Sequence, residues 1–197
     1  MIDRLPAVSF LPTSAVLEMT WACNHRCIFC SCPWEREDAL ALPRPPEMSI
    51  SWWKNLCSRL VKMGVQDFAF TGGEPLLKKG LAELIAHAAS LRGPRIRSHE
   101  GALVQEEGRP EIFLLSNGRI MDQAHIDLCA QHGVQLSMSL PGLTTFAEHT
   151  GDGDPDLVLR WLGVAHVAGV VTTAGITVTR RNLFELERTI ALSLIHI

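Results

Sequence analysis

Residues 65–75 read VQDFAFTGGEP, and this stretch decides the fold class. Residues 65–70 form a short, mostly apolar run typical of a strand, and two glycines follow it at a turn. Residues 78–91 then place apolar side chains at helical spacing. A strand that runs through a glycine turn into a helix predicts one βα unit of a parallel α/β sheet.

The same alternation of short apolar runs and longer amphipathic ones continues on both sides of this unit. Further strands are predicted at 15–19, 111–118, 134–140 and 170–179, and further helices at 49–64, 121–133, 154–169 and from 183 onward. Five successive βα units predict an α/β protein with a parallel sheet, either open or barrel-like. Two connections exceed the usual length, 33–48 and 92–110, and we expect the second to be a surface insertion.

The composition is that of a globular protein and narrows the classes of function. The chain has 197 residues, 47% of them hydrophobic and 20% charged, with a formal net charge of −3. Negative charge and short basic runs predict no nucleic-acid partner. The N-terminus lacks the apolar segment of a signal peptide, and the longest uncharged stretch, residues 162–178, reads as a helix end followed by a strand. We therefore expect a cytoplasmic protein without a membrane partner, in which clustered cysteines are metal ligands or redox groups.

Three cysteines follow the first predicted strand at C-x3-C-x2-C spacing: Cys23, Cys27 and Cys30. Such spacing lets three thiolates of one loop converge on a metal centre, and thiolate-rich sites favour zinc or iron–sulfur clusters. Four irons held by three thiolates leave one iron open to a further ligand. A structural zinc site needs a fourth ligand, which Cys32 or His25 could supply. The spacing alone leaves both kinds of site open.

The cysteine spacing, with Phe29 directly before the third cysteine, resembles the radical S-adenosylmethionine (SAM) superfamily. The resemblance implies that the three cysteines hold a 4Fe–4S cluster, that SAM binds the open iron, and that Phe29 packs near the adenine of SAM. It also implies an α/β fold of the partial (β/α)6, TIM-like barrel type. It covers about residues 16–179 of a single core domain, residues 1–197, and it assigns no role to Cys32.

Four further turns match the superfamily at the carboxyl ends of the predicted strands, where α/β barrels place their sites. The resemblance implies that these turns contact SAM, the first of them at its amine. The matching residues are Gly72, Gly73 and Glu74 of TGGEP, Ser116 and Asn117 of LLSNG, Ser137 and Ser139 of LSMSLPG, and Gly175 of GITVT. Pro141 stands where many members carry an aspartate, so no role of that aspartate is assigned. Taken singly, each turn is also an ordinary strand-to-helix connection.

The resemblance implies an enzyme that receives an external electron and cleaves SAM reductively to a 5′-deoxyadenosyl radical, which abstracts hydrogen from a substrate. The order of the motifs is most similar to members that mature ribosomally made peptides or modify protein side chains. We therefore expect a peptide or protein substrate and an external electron donor. The alternatives are a radical SAM enzyme of small-molecule cofactor biosynthesis and, from another class, a zinc-binding interaction module.

The last six residues, LSLIHI (192–197), match a translated reading frame of a common sequencing adapter. We expect them not to belong to the natural chain. We also expect that chain to continue through the end of the barrel into a SPASM-type domain with auxiliary clusters, because the most similar members commonly carry one.

Overall fold

A five-stranded parallel sheet organises the described residues, which are 12–31, 46–99 and 102–195 of this computed structural model. In chain order the strands are β1 (Ser14–Glu18), β2 (Asp67–Thr71), β3 (Gly93–His99), β4 (Ala102–Gly108), β5 (Glu111–Ser116), β6 (Val134–Ser139) and β7 (Thr172–Gly175). The helices are α1 (Ile50–Lys62), α2 (Leu81–Ser90), α3 (Gln123–His132), α4 (Phe146–Thr150), α5 (Pro155–Val167) and α6 (Leu186–Ile195), with 3-10 turns at Pro75–Leu77 and Leu183–Glu185.

The order of the strands in the sheet is β1-β2-β5-β6-β7, and every neighbouring pair is parallel. One row of aligned residues crosses the sheet from Leu17 through Phe70, Leu114 and Leu136 to Thr172. Parallel neighbours need a crossover connection, and helices supply it here. The predicted α/β class is therefore confirmed, and five parallel strands in chain order form the arc of a partial barrel.

The two faces of the sheet differ in burial because side chains alternate along each strand. Phe68, Phe70, Leu114 and Met138 are fully buried in one hydrophobic cluster with apolar residues of the helices. Burying each such side chain contributes roughly 1.5–3 kcal/mol. Residues at the alternate positions, such as Phe113, are only partly buried. The sheet thus has one face covered by helices and one open face.

The helices begin and end at capping residues that the sequence shows. Ser49 Oγ accepts the N–H of Trp52 at 3.2 Å at the start of α1, and Asp122 Oδ1 accepts the N–H of His125 at 3.0 Å before α3. The second helix starts at Leu81 rather than at residue 78, because Gly80 takes a left-handed backbone with φ 84°. The predicted start of that helix is wrong for this reason.

The long connection at 92–110 contains the antiparallel hairpin β3–β4, which the sequence did not predict as strands. Arg95 fastens the hairpin to the amino end of the parallel sheet. Its guanidinium donates to Glu111 Oε1 at 2.8 Å and to the backbone carbonyl of Arg109 at 2.5 Å. The hairpin therefore lies at the opposite end of β5 from the turns that carry the predicted SAM contacts.

The fifth strand of the sheet is shorter than predicted. The sequence predicts a strand over 170–179, whereas β7 ends at Gly175. Beyond it, the side chain of Asn182 forms hydrogen bonds with the backbone. It accepts the N–H of Thr179 at 2.7 Å and donates to the carbonyl of Thr177 at 2.8 Å. The assignment of residues 176–179 to a strand is wrong because this side chain replaces the ladder partners.

Among the helices of the described residues, none combines the length and the apolar character needed to cross a bilayer.

Candidate functional site

A cavity of about 370 Å³ lies at the carboxyl ends of the parallel strands. It is lined by most of the residues that the sequence analysis singled out, although they come from four separate stretches of the chain. Those residues are Cys23, Cys27, Phe29 and Cys30 of the loop after β1, Gly72 and Gly73 after β2, Ser116 and Asn117 at the end of β5, and Ser139 at the end of β6. The structure therefore brings together side chains that are over 100 positions apart in sequence.

Three of the predicted contacts lie outside the lining of this cavity. Glu74 is fully buried behind it. Ser137 lies two residues before Ser139 on the open face of β6. Gly175, in the neighbouring strand β7, pairs with Ser139. A Cβ added at Gly175 would stand 3.8 Å from Ser137 Oγ, so these two residues are neighbours on the open face.

The cavity also has lining residues that the sequence analysis did not single out. They are His25, Ser31, Thr71, Leu115 and Thr177. Thr71 and Leu115 stand at the ends of β2 and β5, directly before the predicted contacts, and that position is the signal that could have found them. Thr177 lies beyond the real end of β7, so the strand boundary concealed it.

The three cysteines lie in the cysteine loop, which we define as residues 19–31. The N–H of Cys30 donates to the carbonyl of Cys27 at 3.0 Å, which closes a tight turn between them. The pKa of the Cys27 thiol is raised to about 11, mainly by burial and then by the neighbouring Cys23 and Cys30. The thiols are therefore near enough to influence each other's ionisation. No group of three or more His, Cys, Asp or Glu side chains in the described parts of the chain is arranged around a single metal-ion position.

The two glycines of the TGGEP turn are required by the cysteine loop itself. The N–H of Gly73 donates to the carbonyl of Thr20, and the N–H of Glu74 donates to the carbonyl of Ala22, both at 2.8 Å. A Cβ at Gly72 would stand 2.7 Å from the Thr20 oxygen, and one at Gly73 would stand 2.3 Å from the Ala22 oxygen. Gly72 also has φ +142°, which L side chains rarely adopt. The glycines thus let the two backbones lie against each other.

Glu74 joins the turn after β2 to the turn after β5. Its Oε1 accepts the hydroxyl of Ser116 at 2.8 Å and the N–H of Leu76 at 3.1 Å, and its Oε2 accepts the N–H of Asn117 at 2.7 Å. Burial raises the pKa of this carboxyl more than the three hydrogen bonds lower it. The side chain of Glu74 is therefore a fixed link inside the wall of the cavity, and its predicted contact with the SAM amine stays a prediction.

The side chain of Asn117 reaches back to the cysteine loop. Its Nδ2 donates to Asn24 Oδ1 at 2.7 Å and lies 3.8 Å from Cys23 Sγ. Arg119 reinforces the same connection, since its guanidinium donates to the carbonyl of Asn24 at 3.1 Å and pairs with Asp152 at 2.5 Å. The turn after β5 thus holds the loop on the side of the first cysteine.

His25, within the cysteine loop, is buried. Its side chain is 4% exposed and packs edge to face against Phe146, with 6.3 Å between the ring centroids. Burial lowers the pKa of His25, and the guanidinium of Arg119 lowers it further. Its Nε2 has no hydrogen-bond partner among the residues that the structure describes. Cys32, the other proposed fourth zinc ligand, lies outside the described residues.

The short helix α4 holds the other side of the cysteine loop, and the sequence analysis missed it. The carbonyl of Thr150 accepts the N–H of Arg26 at 2.8 Å, and the carbonyl of His149 accepts the N–H of Ile28 at 2.9 Å. The His149 ring also lies against Phe29, with 6.0 Å between centroids. Five residues are too few to show a helical period, so no sequence signal pointed to α4.

Comparison with known families gives one match across most of the chain. The Radical SAM superfamily matches residues 17–192. Among curated proteins, PqqA peptide cyclase of Xanthomonas oryzae pv. oryzae is 44% identical over 80 residues, which cover 41% of this chain and 20% of that protein. Sporulation killing factor maturation protein SkfB of Bacillus subtilis is 33% identical over 133 residues, which cover 64% of this chain and 30% of that protein.

Solved structures show the same fold. The crystal structure of SuiB from Streptococcus suis superposes with a TM-score of 0.74 at 14% sequence identity, over 94% of this chain and 38% of SuiB. SuiB bound to precursor peptide SuiA superposes with a TM-score of 0.69. The chain thus spans less than half the length of SuiB and at most about a third of the two curated relatives.

Proposed function

Because the chain belongs to the radical SAM superfamily, we propose that it binds a 4Fe–4S cluster and SAM in the cavity and modifies a ribosomally made peptide. The observation that carries the proposal is the meeting of three thiols with the turns after β2, β5 and β6 around one cavity. In this proposal Cys23, Cys27 and Cys30 are the cluster ligands, and Phe29 lies beside the adenine.

The donor set of the cavity fits such a cluster. Three thiols stand on one short loop, and each is a soft ligand that iron accepts readily. Burial raises the pKa of Cys27 to about 11, and a bound cation would favour its thiolate form. A single zinc ion requires its ligands about 2.3 Å from one point, whereas each thiolate of a cluster binds a different iron.

In this proposal the turn after β2 meets the amine of SAM. The N–H groups of Gly73 and Glu74 are engaged by the cysteine loop, so a ligand placed over this turn meets neither of these donors. Carbonyl oxygens are the backbone groups that accept hydrogen bonds from an ammonium group. Ser116, Asn117 and Ser139 add polar contacts from the neighbouring strand ends, and Ser137 with Gly175 continues the surface down the open face of the sheet.

The chemistry of the bound group would be that of the superfamily: an electron from the cluster splits SAM into methionine and a 5′-deoxyadenosyl radical, which abstracts hydrogen from the substrate. The residues of this chain bind, orient and shield. Phe29 and Leu115 supply apolar wall, while the interlocked turns hold the thiols in fixed positions relative to the polar contacts.

A peptide substrate is supported by the relatives. PqqA peptide cyclase is named for action on a peptide, SkfB for maturation of sporulation killing factor, and SuiB has been solved with precursor peptide SuiA. These likenesses favour peptide modification over small-molecule cofactor biosynthesis. Membership of the superfamily likewise favours an iron–sulfur cluster over the zinc-binding module that the cysteine spacing alone left open. An external electron donor, a cytoplasmic location and a following SPASM-type domain stay predictions.

The proposal is tested by anaerobic reconstitution with iron and sulfide. We expect a brown protein with about four irons that releases methionine and 5′-deoxyadenosine from SAM under strong reductant. Cys27→Ala should lose both the cluster and SAM cleavage. Cys57→Ala is the matched control, because Cys57 is a fully buried thiol in α1 away from the cavity, and this variant should keep both.

Two results would contradict the proposal. The first is a Cys27→Ala protein with a full cluster and undiminished SAM cleavage. The second is a colourless wild-type protein that takes up about one zinc and does not respond to SAM, as a zinc-binding module would.

A further inference from the structure

We propose that Glu185 is a positioning residue for the cysteine loop and acts through α4, because it binds the two residues that lead into this helix while the last carbonyls of the helix hold the loop. The inference rests on the proposed function only in taking Cys27 as a cluster ligand. It is carried by an unbroken series of hydrogen bonds from the segment after β7 to the backbone on both sides of Cys27.

The first part of the series is the contact between α4 and the loop. A helix leaves its last carbonyl groups without partners inside the helix. Here the carbonyls of His149 and Thr150 accept the N–H groups of Ile28 and Arg26, at 2.9 and 2.8 Å. These two donors flank Cys27, so the end of α4 fixes the backbone on both sides of that cysteine.

The second part is the pair of residues that leads into α4, Thr144 and Thr145. The side chain of Thr145, the residue before the helix, makes no capping hydrogen bond to it. Glu185, 40 positions further along the chain, fixes these two residues in place. Its two carboxylate oxygens accept the N–H groups of Thr144 and Thr145 at 2.8 and 3.0 Å, and the hydroxyls of the same two residues at 2.7 and 2.5 Å.

The charge on Glu185 is favourable at this position. The side chain is 5% exposed, and burial alone would raise the pKa of its carboxyl. The hydrogen bonds from Thr145 and Thr144 outweigh burial and lower the pKa to about 2. The carboxylate is therefore ionised throughout the ordinary pH range and remains an acceptor for all four donors.

A second contact braces α4 from the same segment. His149 is fully buried, and its Nδ1 lies 2.9 Å from the carbonyl of Thr145 while its Nε2 lies 2.8 Å from Thr179 Oγ1. A carbonyl can only accept, so Nδ1 carries the hydrogen of that bond. Residues after β7 thus form hydrogen bonds with α4 and the residues before it at two points. The other end of α4 is bonded to the cysteine loop.

The direct test is hydrogen exchange on the metal-free protein. In Glu185→Ala the amides of Arg26 and Ile28 should exchange about tenfold faster, because the residues that lead into their acceptor helix are no longer held. Peptides from β2 and β5 should be unchanged. Glu187→Ala is the matched control, since Glu187 is an exposed glutamate in the first turn of α6, and its removal should leave exchange in the cysteine loop unchanged.

A second readout uses the reconstituted protein. Electron paramagnetic resonance of the reduced cluster, titrated with SAM, should show several-fold weaker SAM binding in Glu185→Ala and wild-type binding in Glu187→Ala. Failure of the wild-type protein to bind a cluster or SAM would refute the proposed function. The exchange experiment would still decide the role of Glu185, because it needs no cluster.

Unchanged exchange at Arg26 and Ile28 in Glu185→Ala, with intact strands, would overturn the proposal. If that variant exchanges everywhere because it unfolds, the milder Glu185→Gln variant decides. Faster exchange confined to α4 and the cysteine loop in Glu185→Gln supports the positioning role. Equal acceleration of the loop and the strands means that Glu185 only stabilises the fold, and it overturns the proposal.

Discussion

Two buried glutamates hold the cysteine loop from opposite sides, and they differ in how their charge is supported. Glu74 accepts three hydrogen bonds, and burial still raises the pKa of its carboxyl. Glu185 accepts four, two of them from hydroxyls, and its pKa falls to about 2. Burial opposes the charge of both carboxylates, and the number and kind of the donors decide whether it is outweighed. Both carboxyls link segments far apart in sequence, but only in Glu185 do the hydrogen bonds outweigh the effect of burial on the pKa.

The largest effect is expected when the Glu74 link is removed altogether. Glu74→Ala leaves a cavity and takes the acceptors from Leu76, Ser116 and Asn117, so we expect the free energy of unfolding to fall by about 4 kcal/mol. Denaturant unfolding at neutral pH measures it. Glu83→Ala, which removes an exposed glutamate of α2, is the control and should change stability by less than about 1 kcal/mol. Equal losses in the two variants would show that Glu74 is not the link described here.

The next effect tests the backbone contact on the Glu74 side. Gly73→Ala places a Cβ 2.3 Å from the Ala22 oxygen, so we expect a loss of about 2 kcal/mol and weaker SAM binding. Gly163→Ala is the matched control in α5, where an added Cβ meets nothing else in the described structure within 4 Å. This second variant should gain roughly 0.5–1 kcal/mol, because alanine suits a helix interior better than glycine. Thermal unfolding should show the opposite signs, and a destabilised Gly163→Ala would count against the packing argument.

Replacement of each glutamate by the neutral glutamine compares how much stability depends on the charge at the two sites. Glu185→Gln should cost about 2 kcal/mol, since an amide presents one oxygen where four donors converge. Glu74→Gln should cost about 1 kcal/mol less than that, because burial already opposes the charge of Glu74. Urea midpoints at neutral pH give the comparison. A greater loss in Glu74→Gln would reverse the ranking of the two sites.

The smallest effect is a difference in pH dependence with opposite signs. The folded pKa of Glu185 is about 2, below its ordinary value of 4.5, so its contribution is complete above pH 4.5 and is lost as pH falls toward 2. The folded pKa of Glu74 is raised, so its contribution is complete below pH 4.5 and declines as pH rises through the raised value. The stability difference between wild type and each glutamine variant, followed from pH 3 to 7, should therefore slope in opposite directions. Parallel slopes would mean that the two carboxyls are in equivalent environments.

Much of the fold was predictable because its signals are local. Strand and helix periods extend over a few residues, and they placed the five parallel strands and the helices between them to within a few positions. The end of β7 was misjudged, since Asn182 replaces the ladder partners of residues 176–179. The hairpin β3–β4 went unrecognised because its charged, glycine-containing strands show no apolar alternation.

The residues of the candidate site were mostly found from their motifs, but the way they are held was not. Gly72 and Gly73 line the cavity, and the structure adds that they also leave room for the backbone of Thr20 and Ala22. Glu74 also links this turn to the turn after β5, which no local pattern indicated, and its contact with the SAM amine stays a prediction.

The sequence by itself determined the α/β class, the three cysteines on one loop and the polar turns at successive strand ends, because each of these is written in neighbouring residues. Only the tertiary structure decided what holds the cysteine loop in place. Glu74 meets Ser116 across 42 positions and Glu185 meets Thr145 across 40, and such contacts depend on how the strands and helices pack rather than on any local pattern. The same packing gave the five residues of α4 a stable conformation, which so short a helix does not have alone in water.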